Sequence, residues 1–148
     1  MARLLLLNGP NLNLLGQREP GIYGADTLET ITARCSRLAT ELGHSLTARQ
    51  SNAEHELIDA VQQARAEGIE FLILNPGAFT HTSIALRDAL AGVARPYVEV
   101  HISNVFARER FRHRSYLAGN ALGVVSGFGL HSYTLGLRAL VGHLREKR

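Results

Sequence analysis

Apolar and polar positions along this chain alternate between short continuous apolar runs and stretches with helical spacing. Leu4 to Asn8 is the first such run and predicts a strand. Asp26-Thr-Leu-Glu29 has the form of a helix start, with a capping residue followed three places later by a glutamate. Leu28, Ile31, Cys35, Leu38 and Leu42 then mark one face, and Gly43 closes the helix. Ser45 to Arg49 predicts a short second strand. Ser51-Asn-Ala-Glu54 repeats the capping signature, and Leu57, Ile58, Val61 and Ala64 carry a helix to Gly68. Ile69 to Leu74 is an apolar run interrupted only by Glu70, as expected of a strand covered on both faces. After a turn at Pro76-Gly77, the spacing predicts a helix from about Thr82 to Val93, with Ile84, Leu86, Ala89, Leu90 and Val93 as its apolar positions. Pro96 breaks it, and Tyr97 to Ile102 is the fourth strand. Phe106 to Tyr116 is expected to be helical, Ala121 to Ser126 is the fifth strand, and Tyr133 to Leu144 the final helix after a turn at Gly127-Phe-Gly129.

Five strands separated by helices imply a parallel α/β sheet wound on both sides by right-handed crossovers. The expected arrangement is the flavodoxin-like order 2-1-3-4-5, with residues 1–148 as one domain, since no repeat or linker divides them. In that order the switch point falls between strands 1 and 3, and ligands bind beyond the carboxyl ends of the strands there. The polar segments lie at those ends: Asn8 to Tyr23 after strand 1, Asn75 to Ser83 after strand 3, and Glu99 to Asn104 at the end of strand 4.

Composition narrows the classes of partner. No apolar run has the length of a membrane span. Met1-Ala-Arg leads into only four leucines before Asn8, which is no signal-peptide pattern. One cysteine, Cys35, cannot form an internal disulfide and suits a reducing cytosol, so a cytoplasmic setting is expected. The net charge is +3, and of the 16 basic Lys and Arg residues only Lys147 is a lysine. Arginine forks match carboxylates and phosphates, which favours an anionic small molecule. The one dense basic cluster, Arg108, Arg110, Arg112, His113 and Arg114 with Phe111 and Tyr116, offers nucleic acid as a rival, which so small a net charge disfavours. No zinc spacing, His-Glu-x-x-His, Walker loop or Gly-x-Ser-x-Gly elbow occurs, and a single penultimate lysine nearly excludes imine chemistry.

The loop Asn8–Gly24 is roughly fifteen residues long, well beyond the usual connection in an α/β unit. It holds Arg18 and Tyr23. Tyrosine, with a free pKa of about 10, is a poor base at neutral pH. A guanidinium beside it favours the phenolate, so the loop reads either as a device for making a tyrosinate or as a surface Ω-loop whose tyrosine packs. Alternation along Val98-Glu-Val-His-Ile-Ser-Asn104 puts Glu99 and His101 on one side of the sheet. A buried histidine held in one tautomer by a carboxylate suits a general acid. Asn75-Pro-Gly-Ala-Phe-Thr-His-Thr-Ser83 resembles a cradle for an anion or hydroxyl, with Asn75 and His81 as contacts and at least one of Thr80, Thr82 and Ser83 as a helix cap. Arg112 either reaches over the crevice to a carboxylate or belongs to a solvated basic face. Arg87 and Asp88 read as surface or interface charges.

Three stretches together, Asn8-Gly-Pro-Asn-Leu-Asn-Leu-Leu-Gly-x-Arg-Glu-Pro-x-x-Tyr-Gly24, Asn75-Pro-Gly-Ala-Phe-Thr-His-Thr-Ser-x-Ala-Leu-Arg-Asp-Ala89 and Glu99-Val-His-Ile-Ser-Asn104, resemble the type II 3-dehydroquinate dehydratases, over essentially the whole chain. The resemblance implies a flavodoxin-like fold, no metal or organic cofactor, and a homododecamer built as four trimers. It implies loss of water from 3-dehydroquinate to give 3-dehydroshikimate, in the shikimate route to aromatic amino acids or in quinate breakdown. In those terms Tyr23, activated by Arg18, is the base at C2, and Asn11 holds a water against the enolate oxygen. His101, oriented by Glu99, protonates the departing hydroxyl. Asn75, His81, Ile102, Ser103 and Arg112 bind the substrate, and Asp88 serves a neighbouring subunit's site. A flavodoxin-like module that holds FMN or a nucleotide without catalysis is the rival from another class.

Overall fold

Leu4 to Leu7 are all essentially inaccessible, so the first strand is buried on both faces and must sit inside the sheet. The computed structural model, which describes residues 1–17, 21 and 26–146, bears this out. Strand β1 (Arg3–Asn8) pairs in parallel with both β2 (Ser45–Gln50) and β3 (Phe71–Asn75). Strands β4 (Tyr97–His101) and β5 (Gly123–Ser126) extend the sheet beyond β3, giving the order 2-1-3-4-5 with every neighbour parallel. Helices α1 (Leu28–Glu41) and α4 (His131–Glu146) cover one face, where Leu4, Leu6, Ile73, Val98 and Val100 meet Ile31, Cys35, Tyr133 and Leu137. Helices α2 (Glu54–Gln63) and α3 (Ile84–Val93) cover the other, where Leu5, Leu7, Leu72 and Leu74 meet Leu57, Val61, Leu86 and Leu90. Each fully buried leucine side chain contributes roughly 1.5–3 kcal/mol, so the four in β1 anchor the edge from which the polar loops emerge.

Four local expectations are corrected. The cap of α1 is Thr27, whose side chain accepts from the Thr30 amide, rather than Asp26. Helix α2 starts at Glu54, and Ala53 at its cap position supplies no side-chain bond; Ser51 instead accepts from the Ala53 amide and donates to Glu56. Helix α3 begins at Ile84, capped by Ser83, because a 3₁₀ turn over Gly77–His81 occupies the preceding residues; Ile84 is exposed. The segment from Phe106 to Tyr116 is not an α-helix but a run of short 3₁₀ turns, Val105–Ala107 and Arg110–Arg112. The pairs Arg108/Arg112 and Arg110/Arg114 would be like charges one helical turn apart, which disfavours the α-helix, and no apolar stripe offsets them.

Two close approaches need glycine. A Cβ on Gly9 would lie 2.3 Å from the Pro76 carbonyl oxygen, so only glycine lets the loop leaving β1 pass the turn leaving β3. A Cβ on Gly136 would lie 2.8 Å from Val100, where α4 crosses β4.

Candidate active site

Because the strands are parallel, β1, β3 and β4 end at one edge, and their last residues set out the site. Asn8 and Asn75 are register partners on the α4 face. Between them stands Tyr133 of α4, fully buried, whose hydroxyl donates to Asn8 Oδ1 at 2.7 Å and accepts from Asn75 Nδ2 at 2.8 Å. Burial raises the Tyr133 pKa far above the ordinary tyrosine value, so the hydroxyl stays protonated and its direction is fixed. The Asn75 side-chain oxygen accepts from the Gly77 amide. One Nδ2 hydrogen of Asn75 is thus left over for a ligand.

On the opposite face, Glu99 and His101 follow the alternation of β4. Glu99 is 1% exposed, and His101 Nε2 lies 2.6 Å from its Oε2. Thr80 Oγ1 lies 3.1 Å from the same oxygen, and the Ser115 hydroxyl 2.9 Å from Oε1. A buried carboxylate needs such donors to offset lost hydration. His101 therefore turns Nε2 toward Glu99 and leaves Nδ1 without a partner among the described residues.

His81 stacks alongside, its ring 6.4 Å from that of His101 and tilted by 17°. Its Nδ1 is 2.7 Å from the Arg114 carbonyl oxygen, which can only accept, so Nδ1 carries the proton. Burial lowers the His81 pKa, partly countered by that backbone bond and reinforced by His101. The neutral ring then presents Nε2 as a bare acceptor.

The loop after β1 is held from the side. Asn11 adopts a left-handed backbone (φ 68°), tolerated by asparagine better than by most residues. Its amide donates to Asn52 Oδ1, which also accepts from Gln50 Nε2.

These groups surround a cavity of about 190 Å³ bordered by Asn11, Asn75, His81, His101, Ile102, Ser103 and Arg112, seven of the expected site residues. Glu99 stands behind His101 rather than on this wall. Asp88 is elsewhere, bordering a depression with Ile58, Gln62 and Arg65 on the outer side of α3, away from this cavity. Arg18 and Tyr23 lie outside the described residues. Arg112 borders the cavity with its Nε bound to Glu109 at 2.6 Å, an ion pair that holds the exposed Glu109 carboxyl below its ordinary range.

Several participants were missed from sequence. Arg108, grouped only with the basic cluster, also borders the cavity, and its guanidinium donates to Ser103 Oγ. Its place shortly after the polar segment that ends β4 was the available signal. Ser115, Thr80 as a partner of Glu99, and Tyr133 had none, since each contact joins positions 16 to 125 residues apart.

The chain matches the model of the family described as dehydroquinase class II over residues 2–141. It is 56% identical over 147 residues to a 3-dehydroquinate dehydratase of Hahella chejuensis, covering 99% of this chain and 100% of that protein. A 3-dehydroquinate dehydratase of a Synechococcus strain is 62% identical over 143 residues, 97% of each chain. The crystal structure of a type II dehydroquinase from Propionibacterium acnes superposes with a TM-score of 0.90 at 40% identity, covering 96% of this chain and 97% of that one.

Proposed function

The chain belongs to the class II dehydroquinase family and is a hydro-lyase of the 3-dehydroquinate dehydratase type, and on that premise we propose that it eliminates water from 3-dehydroquinate through an enolate, with Tyr23 as base and His101 as acid. The observation that carries the reading is the buried Glu99–His101 pair with His101 Nδ1 unpartnered beside the cavity at the ends of β1, β3 and β4.

In the proposed sequence the Tyr23 phenolate, favoured by Arg18, takes a proton from C2, which the neighbouring C3 ketone makes removable. The electron pair moves onto the ketone oxygen, and a water held by Asn11 stabilises the charge that develops there. The enolate then reforms the ketone as the C1–O bond breaks, and the hydroxide leaves as water with the proton from His101 Nδ1. Tyr23 ends as a phenol and His101 as a neutral ring, and one proton passed from the first to the second through solvent resets the site.

The remaining groups suit a polyhydroxylated carboxylate. His81 Nε2 accepts from a substrate hydroxyl, and the spare Asn75 hydrogen donates to another. Arg112, with Ile102 and Ser103, takes the carboxylate end. Asp88, on the outer side of α3, is assigned to a neighbouring subunit's site within a homododecamer of four trimers. We also take residues 1–148 to be one catalytic domain acting in the cytoplasm; no helix among the described residues is long and apolar enough to cross a membrane.

The test is direct. The protein incubated with 3-dehydroquinate, without added metal or cofactor, should generate the ultraviolet absorbance of a conjugated enone. No absorbance change under conditions where a known dehydroquinase turns over would overturn the reading.

A further inference from the structure

Ser115 lies in the strap from 113 to 118 that runs beneath both histidines, and its oxygen has unusually full occupancy. It accepts from the Leu117 amide at 3.1 Å and the Ala118 amide at 3.0 Å, which uses both lone pairs of a hydroxyl. The single hydroxyl hydrogen must therefore point the other way. The groups in reach there are Glu99 Oε1 at 2.9 Å and Thr80 Oγ1 at 2.6 Å, and Thr80 in turn reaches Glu99 Oε2. With both lone pairs taken, Ser115 cannot accept from Thr80, so its one hydrogen goes either directly to Glu99 Oε1 or to Thr80, whose own hydrogen then goes to Glu99 Oε2.

We propose that Ser115 is a positioning residue for the acid of this site: anchored by two backbone amides, it is a one-way donor that keeps Glu99 an acceptor and so fixes His101 with Nε2–H on Glu99 and Nδ1 toward the cavity. The assignment of His101 as acid rests on the reading given under Proposed function. The next residue upstream does the converse for the other histidine, since the Arg114 carbonyl takes His81 Nδ1–H. The Tyr116 amide, bonded to the Thr80 carbonyl at 2.8 Å, holds the strap in place. One short segment thus gives two stacked imidazoles opposite tautomers. His101, when protonated on both nitrogens, gives up its Nδ1 proton and returns to the Nε2–H form held by Glu99, while His81 accepts a hydrogen bond at Nε2.

Two readouts on Ser115→Ala, Ser115→Thr and Thr80→Val separate this from a structural role. The first is proton NMR of the His101 Nε2–H, assigned by its loss in His101→Ala. Its short bond to Glu99 should place it far downfield in the wild type, and Ser115→Ala should shift or broaden it while Ser115→Thr restores it. The second compares net dehydration of 3-dehydroquinate with exchange of its C2 proton in deuterated water. Ser115→Ala should lower kcat by about 10- to 100-fold, the loss expected for one hydrogen bond to a charged group, with KM little changed and exchange largely kept. Ser115→Thr should recover most of the turnover, and Thr80→Val should fall between the two. Wild-type kcat and an unmoved imidazole signal in Ser115→Ala would overturn the proposal, as would equal loss of exchange and dehydration that Ser115→Thr fails to rescue. If the wild type shows no dehydration, the enzyme reading falls, and the imidazole signal alone decides the role of Ser115. Should Ser115→Ala not fold, Thr80→Val, which leaves the strap's turn intact, carries the same two readouts.

Discussion

Tyr133→Phe removes one oxygen from the centre of the molecule and leaves two buried amide groups facing a ring edge. Tyr133, Asn8 and Asn75 are at most 3% exposed, so no bulk water replaces the hydroxyl. The lost bonds are 2.7 Å to Asn8 Oδ1 and 2.8 Å from Asn75 Nδ2. Each orphaned buried group costs about 1–3 kcal/mol, which puts the total at roughly 2 kcal/mol or more. A chain of this size loses on the order of 2–4 °C in Tm per kcal/mol, so the variant should melt at least about 4 °C below the wild type at equal protein concentration. The cost is shared between two partners, and combining Tyr133→Phe with Asn8→Leu should therefore destabilise by less than the sum of the single changes. Turnover should suffer too, chiefly through KM, because Asn75 is then held by the Gly77 amide alone and its spare hydrogen points less reliably into the cavity. A Tm within 1 °C of the wild type, or strict additivity in the double variant, would refute the bridge as the device that fixes Asn75.

Other perturbations probe the remaining parts. Tyr23→Phe should abolish most turnover with ligand affinity nearly unchanged, measured by the enone assay and by calorimetry with a substrate analogue; wild-type turnover would end the tyrosinate reading. Gly9→Ala drives a methyl to within 2.3 Å of the Pro76 carbonyl oxygen and should separate the loops after β1 and β3, raising KM and lowering Tm; an unchanged KM would show that the approach is not required. His81 has its pKa lowered by burial, so the folded protein resists protonating it: stability should decline as pH falls through the unfolded value of about 6.5, and the acid limb of 1/KM should lie below that pH. A stability that rises on acidification through this window in the wild type but not in His81→Gln would contradict the neutral tautomer. Borohydride added with substrate should leave the protein's mass unchanged, since Lys147 is the chain's only lysine; a reduced adduct would replace the enolate with an imine.

The fold was legible because its signals are local and repeated. Leu4–Leu7 and Phe71–Leu74 are apolar on both parities, as a strand between two helical layers requires, and parallel crossovers then leave few strand orders. Where the reading erred, the residues carried conflicting signals. From Phe106 to Tyr116 helix-compatible residues occur without a stripe to bury, and mutual repulsion of the arginines decided for short turns. At Asp26 the right cap chemistry lay one residue out of place, because Asp26-Thr27 offers two consecutive capping side chains; at Ser51 the serine binds the Ala53 amide and Glu56 ahead of the helix, which begins after Ala53 with no side-chain cap.

The site was legible to a different depth. Glu99 and His101 stand two apart on one strand, so alternation alone put them on one face. Topology delivers the ends of three strands to a common edge and so brought Asn75, His81 and His101 to one crevice, whereas Asn11, Ile102, Ser103 and the substrate role of Arg112 came from the family resemblance. What alternation cannot supply is direction: it says that Glu99 faces His101, but not which nitrogen it holds. That is decided by Thr80 and Ser115, which meet Glu99 only through the tertiary fold, and by an Arg114 carbonyl that any residue would have carried. The chemistry of a histidine lies in its tautomer, and the tautomer is set here by backbone groups and hydroxyls whose sequence positions look like ordinary loop. A pair of equally stacked histidines with the Ser115 strap displaced would keep every residue of the motif and lose the distinction between donor and acceptor on which elimination depends.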